Sequence, residues 1–175
     1  DKTYTLSKDM LVICDTNGII SLAGIMGGKR TACDEHTTNI LLESAWFDPI
    51  AIATTGQKLN ILSDARMRFE RGVDPSLVEF GMQHAAFLIQ AMCGGDVTAY
   101  DAFSQKSASN HIINLSYDEV TRVTGQAVPS KEITQSLELL GCVLSNADQH
   151  SCTVKTPTWR HDLEKCIDLI EEIVR

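Results

Sequence analysis

The chain has 175 residues, which is long enough for one good-sized domain or two small ones. Hydrophobic residues make up 43% of it and support a real core, whereas aromatic residues reach only 6%, which argues against exposed platforms for base stacking. The net charge of −8 argues against a freestanding nucleic-acid binder with an overall basic surface, so no DNA partner is expected, and RNA contact is expected only locally or as part of something larger.

The first predicted element is a β-hairpin, because two apolar runs flank an Asn-Gly pair at 17–18, the strongest short turn signal. The glycine-rich sequence GIMGG (24–28) follows, where backbone bends sharply or approaches a neighbour closely. The run NILLESAWF (39–47) predicts an apolar strand with a single acid inside it, Glu43. Asp-Pro at 48–49 then predicts a helix start, with Asp as the cap and Pro at the first helical position.

A longer helix is predicted between Asp-Pro at 74–75 and Gly-Gly at 94–95. Its apolar residues recur at helical spacing and predict a buried face, with a histidine as a satisfied core or edge residue: Leu77, Phe80, His84, Phe87, Leu88 and Ala91. The small polar stretch at about 102–111 marks a domain boundary, so two domains are predicted, residues 1–108 and 109–175.

The second domain has a winged-helix-like order of strand, helix, helix and hairpin, followed by a final helix. Ser116 and Glu119 match a capping box before the first of these helices, and Gly141 is the predicted stop of the second. Short strands surround the turn NADQH, and Pro157 leads into the last helix. The fold class is therefore α+β, a mixed-sheet portion followed by a small winged-helix-like α+β domain.

Cysteine usage and hydropathy together indicate the cellular location. The six cysteines form no C-x-x-C pair and have no histidine at zinc-ligand spacing, which is typical of reduced, mostly buried thiols in a cytosolic protein. No signal peptide is visible, and no apolar run approaches the ~20 residues that span a bilayer, so a cytoplasmic protein without membrane contact is predicted. The chain begins without Met and stops inside a helical pattern at Arg175, which is typical of an excised fragment.

Two stretches in the first domain have alternative interpretations. Glu43 lies among apolar residues, so it is either an acid at the edge of an apolar pocket or an acid on the solvent face of an alternating strand. The segment SDARMRFERGVDP (63–75) mixes three arginines with Asp64 and Glu70. It is either an ion-paired surface segment or a loop that holds phosphate or sugar through arginine.

The end of the chain places three acids, Asp168, Glu171 and Glu172, on one side of a helix, opposite an apolar face. Like charges three and four residues apart cost a few tenths of a kcal/mol per pair. A hard cation such as Mg²⁺ prefers carboxylate oxygens and would relieve that repulsion. The alternative is a solvated acidic face, with Asp162 serving only as the helix N-cap.

Five stretches together resemble one family, the beta subunit of bacterial phenylalanyl-tRNA synthetase: GIMGG (24–28), LLESAWFDP (41–49), SDARMRFERGVDP (63–75), CGG (93–95) and PTWRHDLEKCIDLIEEIVR (157–175). The resemblance implies the C-terminal portion of a B3/B4 editing domain at 1–108 and a B5 domain at 109–175, ending where the following domain begins. It also implies an α2β2 enzyme whose alpha subunit holds the aminoacylation site, with ATP as a substrate, Mg²⁺ as a cofactor and tRNA(Phe) as a partner.

The resemblance also implies site residues. An editing pocket for tyrosine would use Gly27, Glu43, Ser63 and Ala65, with ionised Glu43 accepting the phenolic O–H and the small residues leaving room for the ring. Ser63 stands where the family often has Thr, so the hydroxyl is kept. A histidine that the family places upstream would precede Asp1, so the editing site of this chain is expected to be incomplete. No nucleophile is assigned, and a positioned water is the expected attacking group.

For the acids at the end of the chain, the resemblance implies a Mg²⁺ shared with the alpha subunit and held by Asp162, Asp168, Glu171 and Glu172. Family members often carry further acids where Cys166 and Ile167 stand here. Two classes of function remain open: part of an editing tRNA ligase, or a non-catalytic scaffold that binds tRNA or a partner subunit. The chain alone is expected to be inactive and to bind Mg²⁺ weakly or not at all.

Overall fold

A computed structural model of the chain describes residues 2–97 and 110–175. The chain divides into two compact units, Asp1–Lys106 and Ser107–Arg175. The described ranges contain two three-stranded antiparallel sheets and six α-helices, which confirms the predicted α+β class. The predicted domain boundary between residues 108 and 109 lies outside the described residues.

The predicted hairpin is present in the first unit. Strand β1 (Val12–Asp15) pairs antiparallel with β2 (Gly18–Leu22), which in turn pairs with the two-residue strand β3 (Met26–Gly27). The Asp15 carboxylate accepts the Asn17 backbone N–H at 2.8 Å, and Gly18 adopts φ of 123°, a conformation that favours glycine. The Asn-Gly signal therefore located the turn correctly.

The predicted strand at 39–47 is wrong, because this segment has no regular secondary structure. A strand needs a neighbouring backbone to accept and donate its ladder hydrogen bonds, and none of the described strands pairs with it. Its apolar residues are not all inward-facing, since Leu41 is 91% exposed. The segment is instead attached to a helix through the Ser44 side chain, which donates to the Val78 carbonyl.

Both predicted Asp-Pro helix starts in the first unit are present. Helix α1 spans Pro49–Lys58, and Asp48 caps it by accepting the Ala51 N–H at 2.9 Å. Helix α2 (Asp64–Phe69) is short. A 3-10 turn at Pro75–Leu77 precedes helix α3 (Val78–Cys93), which ends at Gly94 with φ of 74°.

The core of the first unit lies between the sheet and α1 and consists of Met10, Leu22, Ile25, Ile52 and Ile61. The predicted buried face of α3 is not part of it, because no residue of α3 is buried in the described structure. Phe80 and Phe87 are 63% and 64% exposed, and His84 stacks on Phe80 with ring centroids 5.9 Å apart. The periodicity found the helix but not a neighbour to cover its apolar face.

The second unit has the predicted order of elements. Strand β4 (Ile112–Ser116) leads into helices α4 (Tyr117–Thr124) and α5 (Ser130–Leu139), then strands β5 (Val143–Ser145) and β6 (Ser151–Lys155), and finally helix α6 (Cys166–Val174). The sheet order is β4-β6-β5, with Leu115 opposite Cys152. The core side chains come from both the sheet and the helices and are fully buried: Leu115, Val120, Ile133, Leu137, Val154 and Leu169.

One predicted cap in this unit, at Ser116, and one alternative assignment, the cap at Asp162, are wrong. Ser116 makes no side-chain cap hydrogen bond, since it belongs to β4 and pairs with Ser151, and Glu119 bonds Arg122 instead. Helix α6 begins later than expected, at Cys166, so Asp162 is too far away to cap it. No helix in the described ranges is both long and apolar enough to cross a bilayer.

Candidate functional site

A cavity of about 510 Å³ lies in the first unit, where the glycine-rich loop, the segment around Glu43, α2 and the start of α3 meet. Three of the four residues predicted for the editing pocket line it: Gly27, Glu43 and Ala65. These positions are up to 38 residues apart in the sequence, and the fold brings them to one concave surface. The fourth predicted residue, Ser63, is not among the lining residues.

Gly27 keeps one side of this cavity open. A Cβ atom added there would have no neighbour within 4 Å among the described residues, so no protein contact requires glycine at this position. Gly24 differs, because its Cβ would lie 2.9 Å from the Phe47 ring and 3.0 Å from Ile52. Gly24 therefore serves the packing of the core, whereas the missing side chain of Gly27 leaves space for a ligand.

Among the residues that the structure describes, Glu43 is the one ionisable group that lines the cavity. It makes no hydrogen bond or ion pair with the other described residues and is exposed at the mouth of the cavity. Partial burial against the surrounding protein removes some of its hydration and raises its pKa. A carboxylate without a protein partner is available to accept a hydrogen bond from a ligand.

Ser63 has a structural role that its sequence position suggests in retrospect. Its hydroxyl accepts the Arg66 N–H at 3.1 Å as the N-cap of α2 and donates to the Ile25 carbonyl at 2.7 Å. These two bonds hold α2, which carries Ala65, against the glycine-rich loop. A serine directly before a helix is a common N-cap, so this role could have been predicted.

The three arginines of the segment 63–75 do not share one role. Arg66 donates to Glu70 at 2.9 Å and to the Ile61 carbonyl at 2.6 Å, and its side chain is only 14% exposed. It lies against Gly56, where a Cβ would collide with the guanidinium. The ion-paired interpretation therefore holds for Arg66 and Glu70, whereas Arg68 and Arg71 are exposed.

Sequence reasoning missed the aromatic wall of the cavity. Phe47 and Phe69 both line it, and their ring centroids are 5.1 Å apart at an interplanar angle of 58°. Phe69 follows Ala65 by four residues in α2, so both project from one helical face. That spacing was a usable signal, whereas the approach of Phe47 depends on tertiary packing. The cavity thus combines an aromatic wall with a carboxylate at its mouth.

In the second unit, Arg160 links two of the four predicted metal ligands. Its guanidinium lies 2.7 Å from the Asp162 carboxylate and 2.9 Å from that of Glu172. The side chains of Arg160 and Glu172 are 22% and 11% exposed, so this ion pair is largely shielded from water. Hydrogen bonding to Arg160 lowers the pKa of Asp162. The positive charge of Arg160 therefore compensates two of the carboxylates that the resemblance assigned to Mg²⁺.

The other two acids are also engaged. The Asp168 carboxylate accepts the backbone N–H groups of Lys165 and Glu164 at 2.7 and 3.0 Å, at the start of α6. Glu171 is exposed and lies 3.4 Å from Arg175. Carboxylates are suitable ligands for Mg²⁺, but their arrangement is not: across the described ranges no three acidic, histidine or cysteine residues are grouped to hold a metal. As placed here, the four acids do not fit a magnesium site.

Comparison with known proteins identifies both units. Residues 1–94 match the B3/4 domain family, and residues 113–175 match the tRNA synthetase B5 domain. The chain therefore belongs to the B3/4 domain family and carries a B5 domain after it. Both domains are the ones that the resemblance predicted, and the B5 domain is described as a tRNA synthetase domain.

Individual relatives carry a more specific name. The phenylalanine-tRNA ligase beta subunits of Mesorhizobium japonicum, Nitrobacter winogradskyi and Paramagnetospirillum magneticum are 41%, 42% and 43% identical to this chain. Each alignment covers 99% of the chain but only 22%, 21% and 22% of the respective relative. The chain thus spans about a fifth of the length of these curated relatives.

Proposed function

We propose that the chain acts within the beta subunit of a cytoplasmic phenylalanine-tRNA ligase, where its first unit contributes to removing tyrosine from mischarged tRNA(Phe). In that enzyme it assembles with an alpha subunit as α2β2, and phenylalanine, ATP and tRNA(Phe) are the substrates. The names of the relatives support the assignment to this ligase. The observation that carries the editing role is Glu43, a carboxylate without a partner in the described structure, at the mouth of a partly aromatic cavity.

The need for a second site follows from discrimination energies. A pocket shaped for phenylalanine rejects tyrosine only weakly, because tyrosine merely adds a hydroxyl. A site that hydrogen-bonds this hydroxyl discriminates in the opposite direction, since phenylalanine would leave the acceptor unpaired. In this proposal Glu43 accepts the phenolic O–H, while Gly27 and Ala65 leave room for the ring. A water held near the ester carbonyl is the attacking group.

The test of the proposal is Glu43→Ala in the complete α2β2 enzyme. Loss of a charge-assisted hydrogen bond, on the order of 1.5–3 kcal/mol, should slow hydrolysis of Tyr-tRNA(Phe) by roughly 10- to 150-fold. Charging of tRNA(Phe) with phenylalanine should be unchanged. Glu79→Ala, which removes an exposed acid of α3, is the matched control. Undiminished tyrosine editing in the Glu43→Ala enzyme would refute the proposal.

A magnesium ion at Asp162, Asp168, Glu171 and Glu172 is proposed only for the assembled enzyme, where an alpha subunit could add oxygen ligands. Bound there, the ion would neutralise the acids and link assembly to metal binding. Because Arg160 holds two of these acids, it must release them first. Changing Glu171 and Glu172 together to Gln keeps size but removes charge. If that enzyme keeps its Mg²⁺ stoichiometry and its subunit affinity, the metal assignment is wrong.

A second candidate function is a non-catalytic module that binds tRNA or a partner subunit. The observation in its favour is that the cavity lining, among the residues the structure describes, contains no histidine or cysteine that could act as base or nucleophile. Single-turnover deacylation of Tyr-tRNA(Phe) by the complete enzyme separates the two. Hydrolysis that depends on Glu43 supports editing, and its absence supports the scaffold.

A further inference from the structure

The segment that carries Glu43 needs a specific support, because residues 38–48 form neither helix nor strand. A side chain on such a segment has no regular backbone ladder to fix its direction. Among the contacts at the far end, Phe47 lies against Phe69 and Asp48 caps α1. Both lie four or more residues beyond Glu43 in the sequence.

The described hydrogen bond closest in sequence to Glu43 is made by its neighbour, Ser44. The Ser44 hydroxyl is partly buried and donates to the Val78 carbonyl at 2.8 Å, near the ideal length for an O–H donor. Val78 is the first residue of α3 and also lines the cavity. This bond therefore joins the Glu43 segment directly to the start of α3, which lines the same cavity.

Gly81 lies beside that bond. It is nearly one helical turn beyond Val78, and a Cβ there would be 3.4 Å from Ser44 Oγ, an ordinary van der Waals distance. The Ser44 hydroxyl therefore lies close against the first turn of α3.

We propose that Ser44 is a positioning residue: its hydrogen bond to the Val78 carbonyl fixes the segment so that the Glu43 carboxylate faces the cavity and meets the hydroxyl of a tyrosyl ester. This inference rests on the proposed editing function. Ser44 also lines the cavity, but its hydroxyl proton is engaged with the Val78 carbonyl, so its role in this inference is to hold the segment. Its removal lets the segment move, so that Glu43 faces the substrate for only part of the time.

The experiment compares hydrolysis of Tyr-tRNA(Phe) and Phe-tRNA(Phe) by the complete α2β2 enzyme. Ser44→Ala should lower the ratio of the two kcat/KM values by about two- to tenfold, the equivalent of one neutral hydrogen bond. Ser44→Thr keeps the hydroxyl and should restore the ratio. Thr37→Ala is the control, because it removes only two exposed hydrogen bonds in the preceding loop, one accepted from the Asp34 N–H and one donated to the Asp34 carboxylate.

A double-mutant cycle with Glu43→Ala distinguishes positioning from a general loss of stability. If Ser44 acts through Glu43, adding Ser44→Ala to Glu43→Ala should not lower the ratio further. A further drop would show that Ser44 acts independently and would overturn the inference. Ser44→Cys is nearly isosteric with serine but is a weak hydrogen-bond donor. It should therefore keep the packing of the segment and lower the ratio of the two kcat/KM values as Ser44→Ala does.

The remaining outcomes separate this inference from the proposed function. If Glu43→Ala lowers the ratio and neither Ser44→Ala nor Ser44→Cys does, the positioning role is refuted and the editing role stands. If Glu43→Ala leaves the ratio unchanged, the editing role fails and the positioning role fails with it.

Discussion

The Glu43 carboxylate is partly desolvated and has no compensating partner among the described residues, so it should weaken the fold once it is ionised. Its pKa in the folded state lies above the ordinary value of 4.5, so the folded state binds this proton more tightly than the unfolded state. The resulting penalty is absent below pH 4.5, develops as pH rises through the folded-state pKa, and persists at pH 7.

Glu43→Gln should therefore increase the free energy of unfolding of the 175-residue chain at pH 7 but not near pH 4. Because the side chain is exposed, the gain should stay within the ~0.5 kcal/mol typical of surface substitutions. Urea unfolding of both variants at the two pH values measures it. A gain that is larger at pH 4 than at pH 7 would contradict the assigned direction of the pKa shift.

Arg160 offers a second prediction for a single residue. The Glu172 side chain is only 11% exposed. Arg160→Gln removes the guanidinium charge beside it and leaves a nearly buried carboxylate without that ion pair. We expect a loss of about 1.5–3 kcal/mol in the stability of the second unit, the range for hydrogen bonds to charged groups. Arg122→Gln, which breaks an exposed ion pair with Glu119, is the control and should change stability little.

Magnesium provides the matching readout for Arg160. If this arginine neutralises the acids, MgCl₂ should not raise the thermal midpoint of the wild-type chain but should partly restore that of Arg160→Gln. Equal stabilisation of both chains by the ion would show that the acids are available to a metal without displacement of Arg160.

At the scale of an element, two helix ends differ in a useful way. Gly125 ends α4 and Gly141 follows α5, with φ of 74° and 85°. A Cβ at Gly125 would meet nothing within 4 Å, whereas one at Gly141 would lie 3.0 Å from the Trp159 ring. Alanine at Gly125 should cost about 1–2 kcal/mol for the left-handed backbone alone. Alanine at Gly141 should cost more, and urea unfolding of the two variants isolates the contribution of the Trp159 contact.

Elements with a strong local signal at a turn or at a helix end were predictable from sequence. The hairpin around Asn17-Gly18 and the helices that follow Asp48 and precede Gly94 each carry a local start or stop signal, and each is present. The run 39–47 has no such signals, and its apolar composition could not show that a sheet partner is missing. The cap prediction failed at Ser116, because this residue is suited both to a helix cap and to a strand end. In the structure it pairs with the neighbouring strand.

The candidate site was predictable only through the resemblance. Composition could not distinguish Glu43 at a pocket from Glu43 on a solvent face, because that choice depends on α2 and α3, which lie more than 20 residues away. The same limit applies to Arg160, because its ion-pair partner Glu172 lies 12 residues later in the sequence, on helix α6. Long-range contacts of this kind are set by packing rather than by local sequence.

At the scale of the whole molecule, charge and cavity chemistry together predict how the 175-residue chain behaves on its own. The net charge of −8 opposes the phosphate backbone, and the described cavity lining supplies no cation to offset it. That lining also contains no histidine or cysteine to activate a nucleophile. We therefore expect the isolated chain neither to charge tRNA(Phe) nor to deacylate Tyr-tRNA(Phe) efficiently, and to bind tRNA weakly.

Filter binding of tRNA(Phe) over a range of salt concentrations tests this expectation. A protein that contacts several phosphates shows an affinity that falls steeply as salt rises, because each contact releases counterions. The isolated chain should show weak binding with a shallow slope, while the complete α2β2 enzyme should bind more tightly and with a steeper slope. Tight binding by residues 1–175 with a slope equal to that of the complete enzyme would place the main tRNA contacts within this chain, and the scaffold function would then be favoured over editing.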